Sequence, residues 1–555
     1  MVHIFYTDLD LVCLLGKLNV YDYVIVGSGF GGGPLAEVLA RRQKKVLLIE
    51  RGDVIFSTHV LNTSRPYYYR GASNSPEGNE SVYDDVKAKV RCTEGSDGYV
   101  GGPVYCVGGR SNIWGIWTPR VSKETLDKYF PSEIVSYLLE EDEHTKEDGY
   151  TKAFNFMTQD SQIKAPYPQD SGQITTAEIN ETKVTLEMAL PKTGFSLMPV
   201  AAEFNSAAPY MFPQGAYSTT LGLLNRMFAN DQYLTVLLNT EVVSVEDHDP
   251  GNDHRKVSSI KVRNTQNQTI KDVSVGNAQV ILSAGTIGTS AIAMRSRGFD
   301  HLSQLVGKGL IDHDIYYVRF AKEVHDDEHL KKPLNMKAHT LVGDERCLLT
   351  VTVNANFFLA GSSVALETTH YYNSEGRLIN HKDRLSGDEP NSDTICVLFE
   401  FVGILNNENE VLNIPGKDPV LKITRPPLSD AVQHEMEQKI ERIRNAFIYH
   451  DPKANPDGVA LRPTHMGFGV FAHECGTMRM DGPEGSEGVV DSNLKVKGFD
   501  NLYVCDMSVF PVSPEANPAL TLAALSLRLA DYFVPPSTPP DLPPIPPRLT
   551  YRGFH

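Results

Sequence analysis

The chain has 555 residues, 41% of them hydrophobic and 22% charged, the balance of a globular protein with more than one lobe. Its net charge of −17 argues against nucleic acid or an anionic membrane surface as a partner. Seven cysteines without a C-x-x-C pair or a Cys/His cluster offer neither a zinc site nor a disulfide framework. No run approaches the roughly 20 apolar residues that span a bilayer.

Residues 9–15 are apolar, but they follow Asp8, include Asp10 and lack a basic leader. They read as an N-terminal strand or packing segment rather than a signal peptide. A cytoplasmic compartment is therefore favoured, and a misassigned start would leave secretion open. The N-x-[ST] triplets at Asn62, Asn79, Asn180 and Asn267 carry no weight without a secretory signal.

Residues 21–50, YDYVIVGSGFGGGPLAEVLARRQKKVLLIE, organise the rest. Tyr23–Val26 is a short β-branched run that suits a strand buried on both faces. Gly27, Gly29 and Gly32 follow in G-x-G-x-x-G spacing. The first permits a tight turn, the second lets a pyrophosphate approach the backbone, and the third lets helix pack on strand. A helix over 32–42 would aim free N–H groups at that pyrophosphate. Val46–Ile49 is the second strand, and Glu50 ends it, where a carboxylate can accept from a ribose diol. The unit predicts dinucleotide binding without separating NAD from FAD.

Residues 51–100 are polar and turn-rich, with tyrosines at 67, 68 and 69, as in an excursion over a cofactor. In 104–120, VYCVGGRSNIWGIWTPR, Gly108 and Gly109 allow close backbone approach. Trp114 and Trp117, both tryptophans of the protein, follow as core or as the wall of a flat ligand's site. The acidic run 138–148 reads as a solvated helix face or a boundary, and 150–215 is ambiguous. A helix is expected over 221–229, a strand pair over 234–245 and a hairpin arm over 258–262. Residues 280–284, Gly285 and a helix over 286–296 repeat the strand–turn–helix order. Between 310 and 465 the alternating segments 316–321, 348–353 and 395–403 suggest an antiparallel sheet with one helix near 430–448. The Pro-rich end reads as a polyproline strap.

At the C-terminal side, NLYVCD (501–506) is a strand ending in an acid, and Asn517-Pro518 precedes a helix over 519–532. Pro518 is pre-organised at a helix start and leaves the first-turn N–H groups free. Such a helix end facing a flavin can stabilise the negative charge that reduction places there. Of 17 histidines, His473 alone sits in a glycine-flanked turn before this helix.

The opening unit with its terminal ERG, the Gly108-Gly109 loop, SAGTIGTSAIAMRSRG and the H-x-x-G-T…N-P-x-L-T ending together resemble the glucose–methanol–choline (GMC) family of FAD oxidoreductases. VGGRSNIW…TPR, ILSAG…RG and NPALTLAALSL are most similar to the pyranose 2-oxidase group within it. The resemblance implies an α/β Rossmann-like FAD-binding domain (20–120, 216–310 and 468–535). It further implies an interleaved α+β substrate domain on a mostly antiparallel sheet (121–215 and 311–467), with 536–555 as a tail. His473 matches the family's base and Asn517 its partner, with His465 next in line for the base. FAD contacts are implied at Gly27, Gly29, Phe30, Gly32, Glu50, Arg51, Gly108, Gly109, Ser111, Asn112, Ile113, Trp114, Val242, Ala284, Gly285, Asp506, Asn517, Pro518, Leu520 and Thr521. No metal is implied.

The implied reaction is oxidation of a sugar or other alcohol. His473 takes the hydroxyl proton, Asn517 fixes the oxygen, and hydride passes to the flavin, which oxygen or a quinone-like acceptor reoxidises. Pyranose oxidase-like chains often link FAD through a His in an S-T-H-W context. Here the stretch is Ser111-Asn112-Ile113-Trp114, and Ile113 cannot form that bond, so FAD is expected to be noncovalent. Gly115 replaces a hydroxyl residue, which puts oxygen reactivity in doubt. A GMC-fold lyase that keeps flavin without redox turnover, and a non-catalytic flavoprotein, are the competing readings. Substrate and oligomeric state stay open.

Overall fold

The computed structural model describes residues 9–62, 77–143, 145–158, 176–202, 215–229, 231–247, 255–321, 334–353, 371–372, 378–379, 394–414, 416–447 and 461–536. The tyrosine run at 67–69 and the Pro-rich tail past its first residue lie outside them.

The strands Tyr23–Val26 and Val46–Ile49 are buried at every position and pair in parallel, Tyr23 opposite Val46. Their unbroken apolar runs reflect a sheet covered on both faces. Three further parallel strands join them, giving the order 502–504, 279–282, 23–26, 46–49, 234–237. Helix Gly32–Arg41 packs against Ala519–Phe533 and Thr219–Phe228, so segments from both ends of the chain share one layer. Gly285–Arg295 packs on Thr240–Asp247, the first strand of an antiparallel meander with Val257–Asn264 and Ile270–Ser274. The strand pair read over 234–245 is thus two strands in different sheets, turning at Asn239 with φ +51°.

The second lobe is an eight-stranded sheet, antiparallel except where Asp314–Ala321 meets Tyr371–Tyr372. Its long strands alternate faces. One face carries Val318, Phe320, Val351, Val397 and Phe399, buried against the helices Thr176–Ala189 and Asp430–Phe447. The opposite face is mixed: Ile315, Glu400, Leu348 and His339 lie side by side in register, on the side where Ile116, Trp117 and Met466 pack. Trp117 is therefore core.

Residues 9–15 are not a strand. They open the helix Leu9–Lys17, whose buried positions Leu9, Val12 and Gly16 form a helical stripe on Ile270–Ser274. The packing role holds, since a Cβ on Gly16 would meet the Ser274 carbonyl at 2.3 Å. The acidic run 138–148 is a boundary: helix Ser132–Leu139 ends there, and Asp148 caps the next, Gly149–Met157, by accepting from the Thr151 N–H at 2.6 Å. All seven cysteines are free thiols. Among the described residues no helix is long and apolar enough to cross a membrane.

Candidate active site

A cavity of about 590 Å³ opens where the first parallel strands end, the place where such sheets bind ligands. It is lined by Gly27, Gly29, Phe30, Glu50, Arg51, Gly109, Ser111, Ile113, Trp114, Val242, Ala284, Gly285, Asp506, Pro518 and His473. The two glycine motifs and the C-terminal chemistry thus converge on one space.

The glycines divide by role. Gly27 has φ +98°, and a Cβ there would sit 2.2 Å from the Ser283 carbonyl; one on Gly32 would sit 2.0 Å from the Gly27 carbonyl. These two are glycine because protein fills the space. A Cβ on Gly29 would meet nothing within 4 Å, and Gly285, at φ +79°, is equally open. These open glycines beside the cavity form a cradle with room for a ligand's phosphates, so the residues present fit a dinucleotide.

Glu50 is buried at the strand end. Its Oε2 accepts from Ser28 Oγ at 2.5 Å and Ser28 N–H at 3.2 Å, and its Oε1 accepts from Gly52 N–H at 3.0 Å. Burial pushes its carboxyl up, opposed by these hydrogen bonds. Oε1 keeps acceptor capacity for a ribose hydroxyl. Arg51 lies over the Tyr105 ring at 4.0 Å. Asp506 accepts from Gly285 N–H at 2.9 Å and Ser508 N–H at 2.9 Å, stitching the last strand to the helix Gly285–Arg295.

Six residues expected at the cofactor stand back from the cavity lining. Gly32 and Gly108 are packed against protein, and Leu520 is core. Asn112 ties its loop to the start of helix Thr219–Phe228: its Nδ2 donates to the Val107 carbonyl at 2.8 Å, and its Oδ1 accepts from Ser218 and Thr220, each at 2.8 Å. Thr521 pairs with the Tyr150 hydroxyl at 3.1 Å. Asn517 is the sixth. Its Nδ2 points to Glu400 Oε1 at 3.5 Å, and its Oδ1 is buried without a partner. Trp114 does form wall: its ring meets Phe30 edge-on at 4.8 Å, held by Nε1 donating to the Tyr217 carbonyl at 2.8 Å.

His473 is half-buried and lines the cavity. Its Nδ1 lies 2.5 Å from Nε2 of His313, a residue the sequence reading missed. Burial drives the His473 pKa well below the usual imidazole range, helped by His313 and the Arg110 charge. Burial also lowers His313, to about 4. Asp312 completes the cluster. Its carboxylate accepts from the His313 N–H and Gly469 N–H, each at 2.9 Å, and burial with the nearby Glu474 charge raises it to about 7.

These three could be read as a metal site. Two nitrogens bound to one tetrahedral ion at ~2.0–2.1 Å would stand about 3.3 Å apart. At 2.5 Å the histidines share a hydrogen bond instead. His465 is no alternative base: it bonds Asp314 at 3.1 Å and Arg425, and stacks on Tyr316 at 4.6 Å, away from the cavity lining.

Sequence reading also missed Glu400 and the pair Arg110–Glu474. Glu400 is fully buried, its Oε2 unpartnered, and burial together with Asp312 and Glu515 holds its carboxyl well above the usual range. An acid in the alternating run 395–403 was the available signal.

A family model described as GMC oxidoreductase matches residues 437–526, which include His473 and Asn517. The chain is 22% identical to Pyranose dehydrogenase 2 of Leucoagaricus meleagris, over 92% of this chain and 93% of that one. It is 44% identical to Dehydrogenase str4 of Strobilurus tenacellus over 61 residues, 11% of this chain and only 10% of that protein's length. Among solved structures, pyridoxine 4-oxidase from Mesorbium loti superposes with a TM-score of 0.55 at 16% identity, covering 92% of this chain and 99% of that one. Over 437–526, and through the full-length likeness to Pyranose dehydrogenase 2, the chain is similar to the GMC oxidoreductases.

Proposed function

We propose that the protein is an FAD-dependent oxidoreductase that converts a hydroxyl of a sugar or other alcohol to a carbonyl. One observation carries the reading. The imidazole of His473 lines the same cavity as the glycine cradle and Glu50. FAD, when bound, would supply the acceptor for the substrate's carbon-bound hydride. The chain's own part is to hold the cofactor and manage the proton. Gly29, Gly109 and Gly285 leave backbone accessible for its phosphates, and Glu50 accepts from its ribose. His473 accepts the hydroxyl proton, and its depressed pKa keeps it in the accepting form at neutral pH and below. Asn517 is assigned to orient the substrate oxygen. That role requires its amide to turn from Glu400, a 3.5 Å contact too long to resist strongly. The family likeness and the name of the full-length relative, a pyranose dehydrogenase, favour a sugar-like polyol. On this reading 20–120, 216–310 and 468–535 bind FAD, and 121–215 with 311–467 bind substrate.

The test is an anaerobic panel of sugars and alcohols added to the flavin-loaded protein. Loss of oxidised-flavin absorbance with at least one of them is expected. A loaded protein that stays oxidised with every member, yet cleaves a hydroxynitrile, would overturn the reading in favour of a lyase.

A further inference from the structure

We propose that His313 is a positioning residue that sets the tautomer of His473, so that His473 Nε2 offers a lone pair to the cavity. The inference rests on the reading of His473 as base. His313 Nε2 and His473 Nδ1 are 2.5 Å apart with their rings tilted at 57°, so one hydrogen lies between them. Two neutral imidazoles can share it in two ways. If His313 donates, His473 keeps its own hydrogen on Nε2, the one ring nitrogen left for the cavity, and can take no proton there. If His473 donates from Nδ1, its Nε2 is bare.

The surroundings of His313 decide between them. Its ring is enclosed, and its Nδ1 makes no hydrogen bond of ordinary geometry. The backbone group that bears on the ring is the Pro514 carbonyl. A carbonyl oxygen repels a ring lone pair and attracts an N–H, so the His313 hydrogen belongs on Nδ1. Its Nε2 is then the acceptor, and His473 must donate from Nδ1. Asp312 does not compete for that Nε2: it stands 3.9 Å away, and its oxygens accept from the backbone N–H groups of His313 and Gly469. The arrangement holds the base as a buried third group holds the imidazole of a hydrolase triad, with a neutral acceptor in place of a carboxylate.

Three measurements on the flavin-loaded protein test this. In the wild type, the ¹⁵N spectrum of labelled histidines, with His473 assigned by loss of its signals in His473→Asn, should show Nδ1 protonated and Nε2 bare. A protonated Nε2 at neutral pH overturns the proposal, whatever the variants do. His313→Leu should slow substrate reduction of the flavin by roughly 10- to 100-fold, with substrate KM and flavin occupancy nearly unchanged. His313→Gln, whose amide oxygen can accept in place of Nε2, should recover most of that loss. Wild-type reduction in His313→Leu, or a Gln variant as slow as the Leu one, overturns it. If His473→Ala itself reduces at the wild-type rate, the base assignment has failed. If His473→Ala is slow and His313→Leu is fast, only the role of His313 falls.

Discussion

Arg110 holds Glu474 in a two-pronged ion pair, with Nη1 3.0 Å and Nη2 2.7 Å from the carboxylate oxygens, and its Nη1 also donates to the Ala472 carbonyl at 2.5 Å. The residues on either side of His473 are thus gripped by one guanidinium. Ala472 has φ +57°, a left-handed conformation that alanine adopts only when its surroundings impose it. Glu474 also accepts from the Tyr99 hydroxyl at 2.6 Å. Burial opposes its charge, but the Arg110 charge and hydrogen bonds bring its pKa below the usual carboxylate range.

Removing one partner of that pair should therefore destabilise the fold. Arg110→Met leaves a buried, uncompensated carboxylate, which costs about 3–5 kcal/mol. The double variant Arg110→Met with Glu474→Gln should recover a good part of it. Denaturant unfolding measures both. Single and double variants of equal stability would show that the pair contributes only through Ala472.

The two kinds of glycine should respond oppositely to alanine. Gly32→Ala forces a Cβ to within 2.0 Å of the Gly27 carbonyl and should unfold or strongly destabilise the protein. Gly29→Ala meets nothing and should leave the fold intact while lowering FAD occupancy. Glu50→Ala should also lower occupancy, roughly 10- to 150-fold in affinity for a lost charged acceptor worth about 1.5–3 kcal/mol, with turnover per bound flavin nearly unchanged. Thermal melts and flavin titration separate these cases. Full occupancy in Gly29→Ala would place the phosphates elsewhere.

Ile113 lines the cavity with a side chain that has no nucleophilic atom, so noncovalent attachment is the outcome to test. Acid precipitation of the loaded protein should leave the yellow colour in the supernatant. Colour that stays with the pellet would mean that another side chain makes a link.

His473→Ala should slow flavin reduction by about 10²–10⁴, the usual scale for a general base. Asn517→Ala should lower kcat more than it raises KM, because it removes a hydrogen bond that strengthens in the transition state. The double variant should lose less than the product of the two, since both act on one oxygen. Stopped-flow reduction decides it.

The pH dependence has a definite sign. In the proposed mechanism the active form of His473 is neutral, and burial, His313 and Arg110 all oppose its protonation. On acidification the reduction rate should hold through 6.5, where an exposed imidazole would already be half protonated, and fall only well below it. Asp312, raised to about 7 by burial and the Glu474 charge, is already neutral at the pH where His473 takes its proton, so Asp312→Asn should leave the acid limb nearly unmoved. A wild-type acid limb at or above 6.5, read by stopped flow, would count against the burial of the base.

Local sequence determined the parallel-strand unit and its cradle. Val24 and Leu47 are buried because an unbroken apolar run can be satisfied only between two covered faces, and Gly27 is glycine because φ +98° excludes a side chain. Such requirements act over a few residues, so they can be read in one dimension. The placing of His473 at the C-terminal turn was legible for the same reason. The partners of that histidine were not. His313 reaches it because Ile311 bridges to Cys475, and Glu400 reaches Asn517 because strand register puts it between Ile315 and Leu348. Arg110 and Glu474 meet across 364 positions of the chain. Only the folded chain brings such groups together. Their burial decides which of them are charged, since the cost of desolvation and the nearness of a counter-charge exist only there. Tertiary structure likewise turned Asn112 and Thr521 inward as scaffold, because a buried polar side chain must find its hydrogen bonds wherever packing offers them.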